Sequence, residues 1–480
     1  MDATTSFCNE AEKLLGPAGF TRDAELMAPW LTDWRGRYTG QALGLASPAD
    51  TAQVAALLAL ATRHRIAVVP QGGNSGMSGG ATPDGSGTAL LLSLRRMNRI
   101  HPVSDGTGQI VCEAGVILQN LHDAAANAGM RFALTLGGKG SATIGGLIAT
   151  NAGGTQVLRH GTMRAQVLGL EAVLPDGQVY DGLGGLVKDN RGFDLKQLFI
   201  GSEGTLGIVT AARLRLVPAI AGRTVAWAGT NSIHKARDLL LRLEAAAGHA
   251  LEGFEVLPRH SHDAVMAYAP AARPPLPGKH DWHVLMEFVT PDHADMIDTV
   301  AGLLAEAVEA GVIQDAVIAQ SESQAEAFWS IRDAVSPAER AIGPALQHDI
   351  AVPPAAMPAF IEETVAAVEA RFAGTRAIAF GHLGDGNVHF HAIAPAGAVR
   401  GEWEAREGLV ISRFIHDRVT QHGGTISAEH GIGQMKTAEL ARLASPAHLH
   451  ILRQVKAALD PLGIMNPGKL VPLETPGKHP

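Results

Sequence analysis

Cysteine is nearly missing from this chain: its 480 residues include two, Cys8 and Cys112, which form no CxxC pair. That excludes a disulfide framework, a zinc ribbon and a four-cysteine iron–sulfur cluster within the chain. Basic excess is missing as well. With 39 Lys and Arg against 47 Asp and Glu, the net charge is −8, and no broad positive field is available to grip a nucleic-acid backbone. No stretch approaches the roughly 18 consecutive apolar residues a membrane span needs. The opening MDATTSFCNEAEKLLG has neither the basic start nor the apolar core of a secretory leader. These absences lead us to expect a cytoplasmic protein with no nucleic-acid partner and no membrane span.

What is present is a large apolar share, 46% hydrophobic residues, and enough length for two to four domains at about 150 residues each. Glycine is abundant, 55 residues, or about 11% against a usual ~7%. From about residue 47 to 218, short apolar β-like runs alternate with Gly-rich connections, and helical periodicity is confined to 50–65 and 117–130. Beyond about residue 219, strand-like segments (223–230, 251–258, 283–290, 315–320) are separated by amphipathic helices such as 232–248 and 293–311. The expected class is α+β. The expected domains are 1–218, 219–424 and a C-terminal segment 425–480 that returns to the first.

Three glycine loops lie in the first half. PQGGNSGMSGG (70–80) follows a β-like run; LGGKGSATIGG (136–146) continues into NAGGT (151–155); GSEGTLG (201–207) is the third. Such density lets several backbone N–H groups converge on an anion without Cβ obstruction, which suits a pyrophosphate. Taken singly, each loop also reads as a tight turn. Neither a complete GxGxxG nor a Walker GxxxxGK[ST] occurs, so a Rossmann site or a P-loop has no support.

The sharpest chemistry sits in GHLGDGNVHFH (381–391). Asp385-Gly386 is a hairpin signal, and a two-residue loop there sets His382 opposite His389, close enough for both imidazoles to reach one ion. A third ligand is then needed. SAEHGIG (427–433) offers Glu429 and His430 side by side, one to ligate and one to exchange protons; spacing alone does not say which does which.

These blocks, in this order, resemble the FAD-linked D-2-hydroxyacid dehydrogenases (D-lactate and D-2-hydroxyglutarate dehydrogenase-like) of the vanillyl-alcohol-oxidase/PCMH flavoprotein superfamily. PQGGNSGMSGG is similar to the first pyrophosphate loop, and 136–178, 188–210 and 459–469 resemble the later flavin-binding blocks. The resemblance covers nearly the whole chain. It implies a two-part PCMH-type FAD-binding domain, an α+β cap domain and a C-terminal segment that completes the FAD domain. The flavin-binding positions it implies are Pro70, Gln71, Gly72, Gly73, Asn74, Ser75, Gly76, Met77 and Gly79 in the first loop. They continue with Leu136, Gly137, Gly140, Ser141, Ile144, Gly145, Asn151, Gly153 and Gly154, then Glu203, Gly204, Gly207, Ile208 and finally Asn466. Some relatives attach FAD through a first-loop histidine; Asn74 stands there and has no nucleophilic ring nitrogen, so non-covalent FAD is expected.

The resemblance also implies His382, His389 and Glu429 as metal ligands and His430 as catalytic base. Two imidazoles and a carboxylate suit zinc, with manganese or iron as competitors. The segment 325–336 resembles the substrate clamp, with Arg332 and Ser336 facing substrate oxygens. Two positions depart from the pattern. Gln347 occupies the place of a lysine in hydroxyglutarate-oxidising relatives, and His391 that of a common asparagine. The expected reaction is oxidation of a small D-2-hydroxyacid to the 2-oxoacid, with proton abstraction and hydride transfer to flavin N5. An electron-transfer flavoprotein or a quinone is the implied acceptor, and a homodimer stays open. The alternatives are a flavin oxidase of a phenolic or sugar alcohol using O2, and a flavin-free metallohydrolase built on the same ligands.

Overall fold

A computed structural model describes residues 3–103, 106–186, 188–290 and 296–472. The chain divides into two compact units, one of residues 1–154, 160–219 and 429–480, the other of 155–159 and 220–428.

In the first unit, β1 (Phe20–Thr21), β2 (Gly44–Ala46), β3 (Val68–Gln71) and β4 (Leu90–Ser93) form a sheet of order β1-β2-β4-β3. β4 runs parallel to both β2 and β3. Leu90, Leu91 and Leu92 are all fully buried, as expected for a central strand covered on both faces. The helix Thr51–His64 joins β2 to β3. Its start is fixed by Asp50, whose carboxylate accepts from the Gln53 N–H at 2.8 Å, and Val54, Leu57, Leu58 and Ala61 give it a buried face. A second, antiparallel sheet has β5 (Gln109–Glu113), β7 (Val167–Val173), β8 (Val179–Gly182) and β9 (Ile208–Arg215) in the order β5-β9-β7-β8; β6 (Met130–Arg131) pairs with β10 (Val217–Pro218). The C-terminal stretch closes on the first sheet: the Val68 N–H donates to Ile464 O and the Asn466 N–H to Val68 O, both at 2.8 Å.

The second unit is built on a seven-stranded antiparallel sheet. Its strands are β11 (Gly222–Thr230), β12 (Leu251–Pro258), β13 (Trp282–Thr290), β14 (Asp315–Ile318), β15 (Ala345–Ala351), β16 (Arg376–His382) and β17 (Asn387–Ile393), in the order β14-β11-β13-β12-β16-β17-β15. Strand alternation splits it into two faces. One carries Ala226, Val256, Met286, Phe288, Ala379 and Phe390, packed with residues of the helices Ile233–Ala247, Met357–Arg371 and Glu402–Gln421. The other carries Val225, Trp227, Leu257, Leu285 and Phe380 under the helices Glu322–Asp333 and Val335–Ile342. The helix expected over 293–311 is found as Ile297–Glu309, and residues 293–295 lie outside the described residues. Among the described residues no helix is long and apolar enough to cross a membrane.

The β16–β17 hairpin corrects the expected register. The loop is Leu383–Gly386, four residues, closed by the Gly386 N–H donating to His382 O at 3.0 Å. His382 therefore faces Asn387, and His389 faces Phe380. The slip is two residues, which keeps every side chain on its face. His382 and His389 become diagonal rather than direct neighbours, with ring centroids 5.5 Å apart.

Candidate active site

In the first unit the chain leaves β3 straight into the first glycine loop, and the loop edges a cavity of about 590 Å³. The first two glycines are required by a close approach. A Cβ on Gly72 would lie 2.4 Å from Thr143 Oγ1, and one on Gly73 would lie 1.7 Å from Ser141 O, so the first loop interlocks with the second only without side chains. Gly76 and Gly140 have open space before them instead. Fourteen of the residues expected to bind cofactor line the cavity: Pro70, Gln71, Gly72, Gly73, Asn74, Ser75, Gly76, Gly140, Ser141, Gly145, Glu203, Gly204, Gly207 and Ile208.

The other nine are not in its wall, and several have structural work elsewhere. Met77 Sδ accepts from Arg35, and Gly79, at φ +67°, gives its carbonyl to Gln434. Ile144 is the buried first residue of the helix Ile144–Thr150, and Asn151 caps its end at φ +50° while accepting from the Arg164 N–H. A Cβ on Gly154 would lie 2.1 Å from Thr135 O, Gly153 is buried beside it, Leu136 packs on the apolar core, and Gly137 faces open space. Asn466 is buried, and its Nδ2 donates to Gly80 O and Glu203 O. Trp30, Arg95, Asn98 and Thr143 line the cavity without having been expected there; Arg95 lies 4.9 Å over the Trp30 ring. No local sequence signal marks them.

His430 also lines this cavity. Its place is set by two residues of the glycine loops. Ser78 Oγ donates to His430 O and Gly431 O, each at 3.1 Å. Glu203 accepts from the Ile432 and Gly433 N–H groups at 2.7 Å, one on each carboxylate oxygen. Burial pushes the Glu203 carboxyl up from the usual range; those two N–H groups and Lys436 and Lys469 pull against it. Glu203 thus holds the 430–433 turn by its side chain. Glu429, half-buried, opens the same C-terminal stretch.

The cavity fits a flavin dinucleotide. It has glycine-rich backbone at its rim, a volume in the range of cofactor sites, and a buried polar atom of its wall, Gln71 Oε1, with no hydrogen-bond partner among the described residues. Asn74 donates its amide to Thr32 O at 2.8 Å.

The second unit gathers the remaining candidates on one sheet face. Glu255 on β12 faces His382 on β16. Only 1% exposed, its carboxylate accepts from His382 Nδ1 and, at 3.0 Å, from Arg332 Nε. Complete burial pushes the Glu255 carboxyl up, but Arg332 and His382 more than offset this and hold it at about 2, ionised at neutral pH. Arg332 Nη2 also lies 3.4 Å from His382 Nε2. A guanidinium can only donate, so Nε2 carries the lone pair and Nδ1 the hydrogen. This is the tautomer of a metal-ligating histidine whose far nitrogen is held by a carboxylate.

His389 stands opposite Asp349 on β15, and Asn387 donates to Asp349 at 2.9 Å. Burial, then the charges of Arg332 and His382, push the His389 imidazole well below its ordinary range and keep it neutral, as a metal ligand must be. Both imidazoles therefore suit a divalent ion. One strand row further, His391 faces Gln347, and its Nδ1 donates to Glu339 at 2.5 Å. Ser336 is half-buried on the helix that carries Glu339. Glu255, Asp349 and Glu339 were not among the expected residues; for the first two the available signal was an acidic residue inside the apolar runs LEGFEVLP and QHDIAVP, and Glu339, on the helix Val335–Ile342, has no such signal.

Residues 42–182 match the family described as FAD binding domain, and residues 221–470 the family described as FAD linked oxidases, C-terminal domain. The chain is 36% identical, over 96% of its length and 81% of the relative's, to a protein named probable D-2-hydroxyglutarate dehydrogenase, mitochondrial, from Oryza sativa subsp. indica. To the D-2-hydroxyglutarate dehydrogenase of Xanthomonas citri pv. viticola it is 35% identical over 91% of each chain. Among solved structures, p-cresol methylhydroxylase superposes with a TM-score of 0.76 over 97% of this chain and 96% of its own, at 14% identity, a likeness that shows the fold alone.

Proposed function

Because the chain belongs to the FAD-linked D-2-hydroxyacid dehydrogenases of the vanillyl-alcohol-oxidase/PCMH superfamily, and is thus an FAD-dependent dehydrogenase, we propose that it oxidises a D-2-hydroxyacid of the D-lactate or D-2-hydroxyglutarate type to the 2-oxoacid with the help of a divalent metal ion. The observation that carries the reading is His430 in the wall of the glycine-lined cavity. FAD, held non-covalently since Asn74 offers no nucleophile, supplies the acceptor for the hydride on the substrate's C2. His382, His389 and Glu429 would hold the ion, zinc before manganese or iron, which lowers the pKa of a coordinated hydroxyl.

The chain's own groups do the rest. His430 takes the hydroxyl proton, and the Ser78 and Glu203 contacts keep its backbone from drifting. Arg332 presents a guanidinium, already braced along one edge by Glu255, to the substrate carboxylate. Ser336 adds a hydroxyl from the following helix. An electron-transfer flavoprotein or a quinone accepts the electrons in this reading. We read the setting as cytoplasmic; the two buried free thiols suit a reducing compartment.

The test is a panel of D- and L-2-hydroxyacids with a dye acceptor, run on protein whose flavin content has been measured. His430→Ala should cut kcat by about 10²–10⁴, the usual worth of a general base, with flavin retained. Stripping the metal should lower kcat/KM and leave the flavin in place. Unchanged turnover in His430→Ala removes the base, and unchanged kcat/KM after chelation removes the ion.

A further inference from the structure

Glu339 is 0% exposed. Its carboxylate accepts from Ser261 Oγ at 2.8 Å and from His391 Nδ1 at 2.5 Å, and no Lys or Arg contacts it among the described residues. Burying a carboxylate this way is costly, and an apolar side chain of similar volume would usually serve the core as well or better. His391 is 3% exposed, and its Nε2 makes no hydrogen bond among the described residues. The carboxylate therefore fixes the ring by one nitrogen and leaves the other open to a ligand.

The place is informative. His389 and His391 lie on the same face of β17, two residues apart, or about 7 Å along the strand. Asp349 and Gln347 face them on β15 in the same two rows. A substrate whose C2 is at the first row and whose end group lies three carbons further on covers roughly 4 Å of that spacing, and a hydrogen bond of about 3 Å from its end carries it to the second row. That second row offers an amide and an imidazole hydrogen-bonded to a carboxylate. The imidazole–carboxylate pair adds no net positive charge whichever partner holds the proton.

We propose that Glu339, backed by Ser261, is a positioning residue that fixes the His391 ring so that Nε2 and Gln347 read the far end of the substrate, selecting a 2-hydroxyacid with an uncharged, hydrogen-bonding end over a dicarboxylic one. This rests on the oxidation of a 2-hydroxyacid proposed above. It is tested by comparing D-2-hydroxyglutarate with its 5-amide, acids of equal length that differ in end charge, and with D-lactate, which is too short to reach the second row.

The native enzyme should have the higher kcat/KM for the amide. Glu339→Gln should lower the amide-to-glutarate ratio about tenfold, through KM, and lower kcat/KM for the amide several-fold more than for D-lactate. Gln347→Lys, which sets a cation in the same row, should move the ratio the same way. Ser261→Ala, a milder change that keeps the carboxylate, should give a smaller shift and serves if Glu339→Gln does not fold. Calorimetric Kd values for the matching 2-oxoacids should follow the same order. Equal losses on all three acids make Glu339 merely structural and overturn the proposal, as does a native preference for the dicarboxylate. Failure to turn over any of the three, D-lactate included, removes the underlying activity and the proposal with it.

Discussion

Two groups of three histidines share one face of the same sheet, and their partners separate them. His382, His389 and His391 stand among carboxylates: Glu255 on the first, Asp349 opposite the second, Glu339 on the third. His262 and His283 stand against Trp227, and His280 joins them through His283. His262 and His283 stack at 4.2 Å between ring centroids, His280 meets His283 edge-on at 5.8 Å, and His283 Nδ1 accepts from the Trp227 indole N–H at 3.1 Å. The polar company of this second group is Gln314 on His280 and Asp263, at 3.6 Å from His262. Burial and the neighbouring imidazoles push His283 down to about 3 and lower His262 as well, so these two rings pack as neutral aromatics. Residue type alone thus says little about a histidine. In the function proposed above, a carboxylate on the far nitrogen goes with a ligand (His382) or a reader of substrate (His391), whereas an indole donating to the ring (His283) goes with core.

The sharpest way to break this contrast is to remove the carboxylate. Glu255→Gln keeps the shape and a hydrogen-bond acceptor but not the charge that fixes the His382 tautomer. Metal affinity should fall about 10–100-fold, the usual effect of losing a ligand's hydrogen-bond partner, and activity should recover partly with added zinc. Titration of the apo-protein with zinc checks it; unaltered affinity would detach Glu255 from the ion.

The complementary change leaves the site alone. His283→Met keeps volume and polarisability but replaces the ring nitrogen that accepts from the Trp227 N–H with a thioether, at best a weak acceptor. A buried donor left unpaired costs about 1–3 kcal/mol, so the denaturation midpoint should drop while kcat/KM and metal content stay as in the native protein. A change in substrate selectivity would contradict the separation of the two groups.

How much of this was readable from residues alone follows the range of the contacts involved. The glycine loops and the HLGDGNVH hairpin are local, and their types and order sufficed. Even there the hairpin loop has four residues and not the two that Asp385-Gly386 suggests, because that dipeptide does not reveal that the turn closes from Gly386 back to His382. The slip of two preserved the face, so the imidazole pair survived the error. Glu255, by contrast, meets a histidine 127 residues away, and Glu339 one 52 away. Sheet order decides such pairings, and a strand's sequence does not announce its neighbour. The wall position of His430 was likewise hidden, since it depends on Ser78 and Glu203, more than 200 residues upstream.

The smallest expected effect is one of pH. In the unfolded chain His262 and His283 titrate near 6.5, and in the folded protein both lie lower, His283 at about 3. Below 6.5 the unfolded chain therefore binds protons that the folded one refuses. Their contribution to stability is complete above that pH and drains away as pH falls toward 3, at up to about 1.4 kcal/mol per pH unit for His283. His280 and Asp263 face the same group, and Asp263 opposes the shift on His262. Urea midpoints should fall from pH 7 to 5, and the fall should be shallower in His283→Met, where one of the two protonatable rings is gone. Parallel profiles for native and variant would mean that His283 is as free to charge in the fold as outside it, and the distinction between the two histidine groups would lose its electrostatic basis.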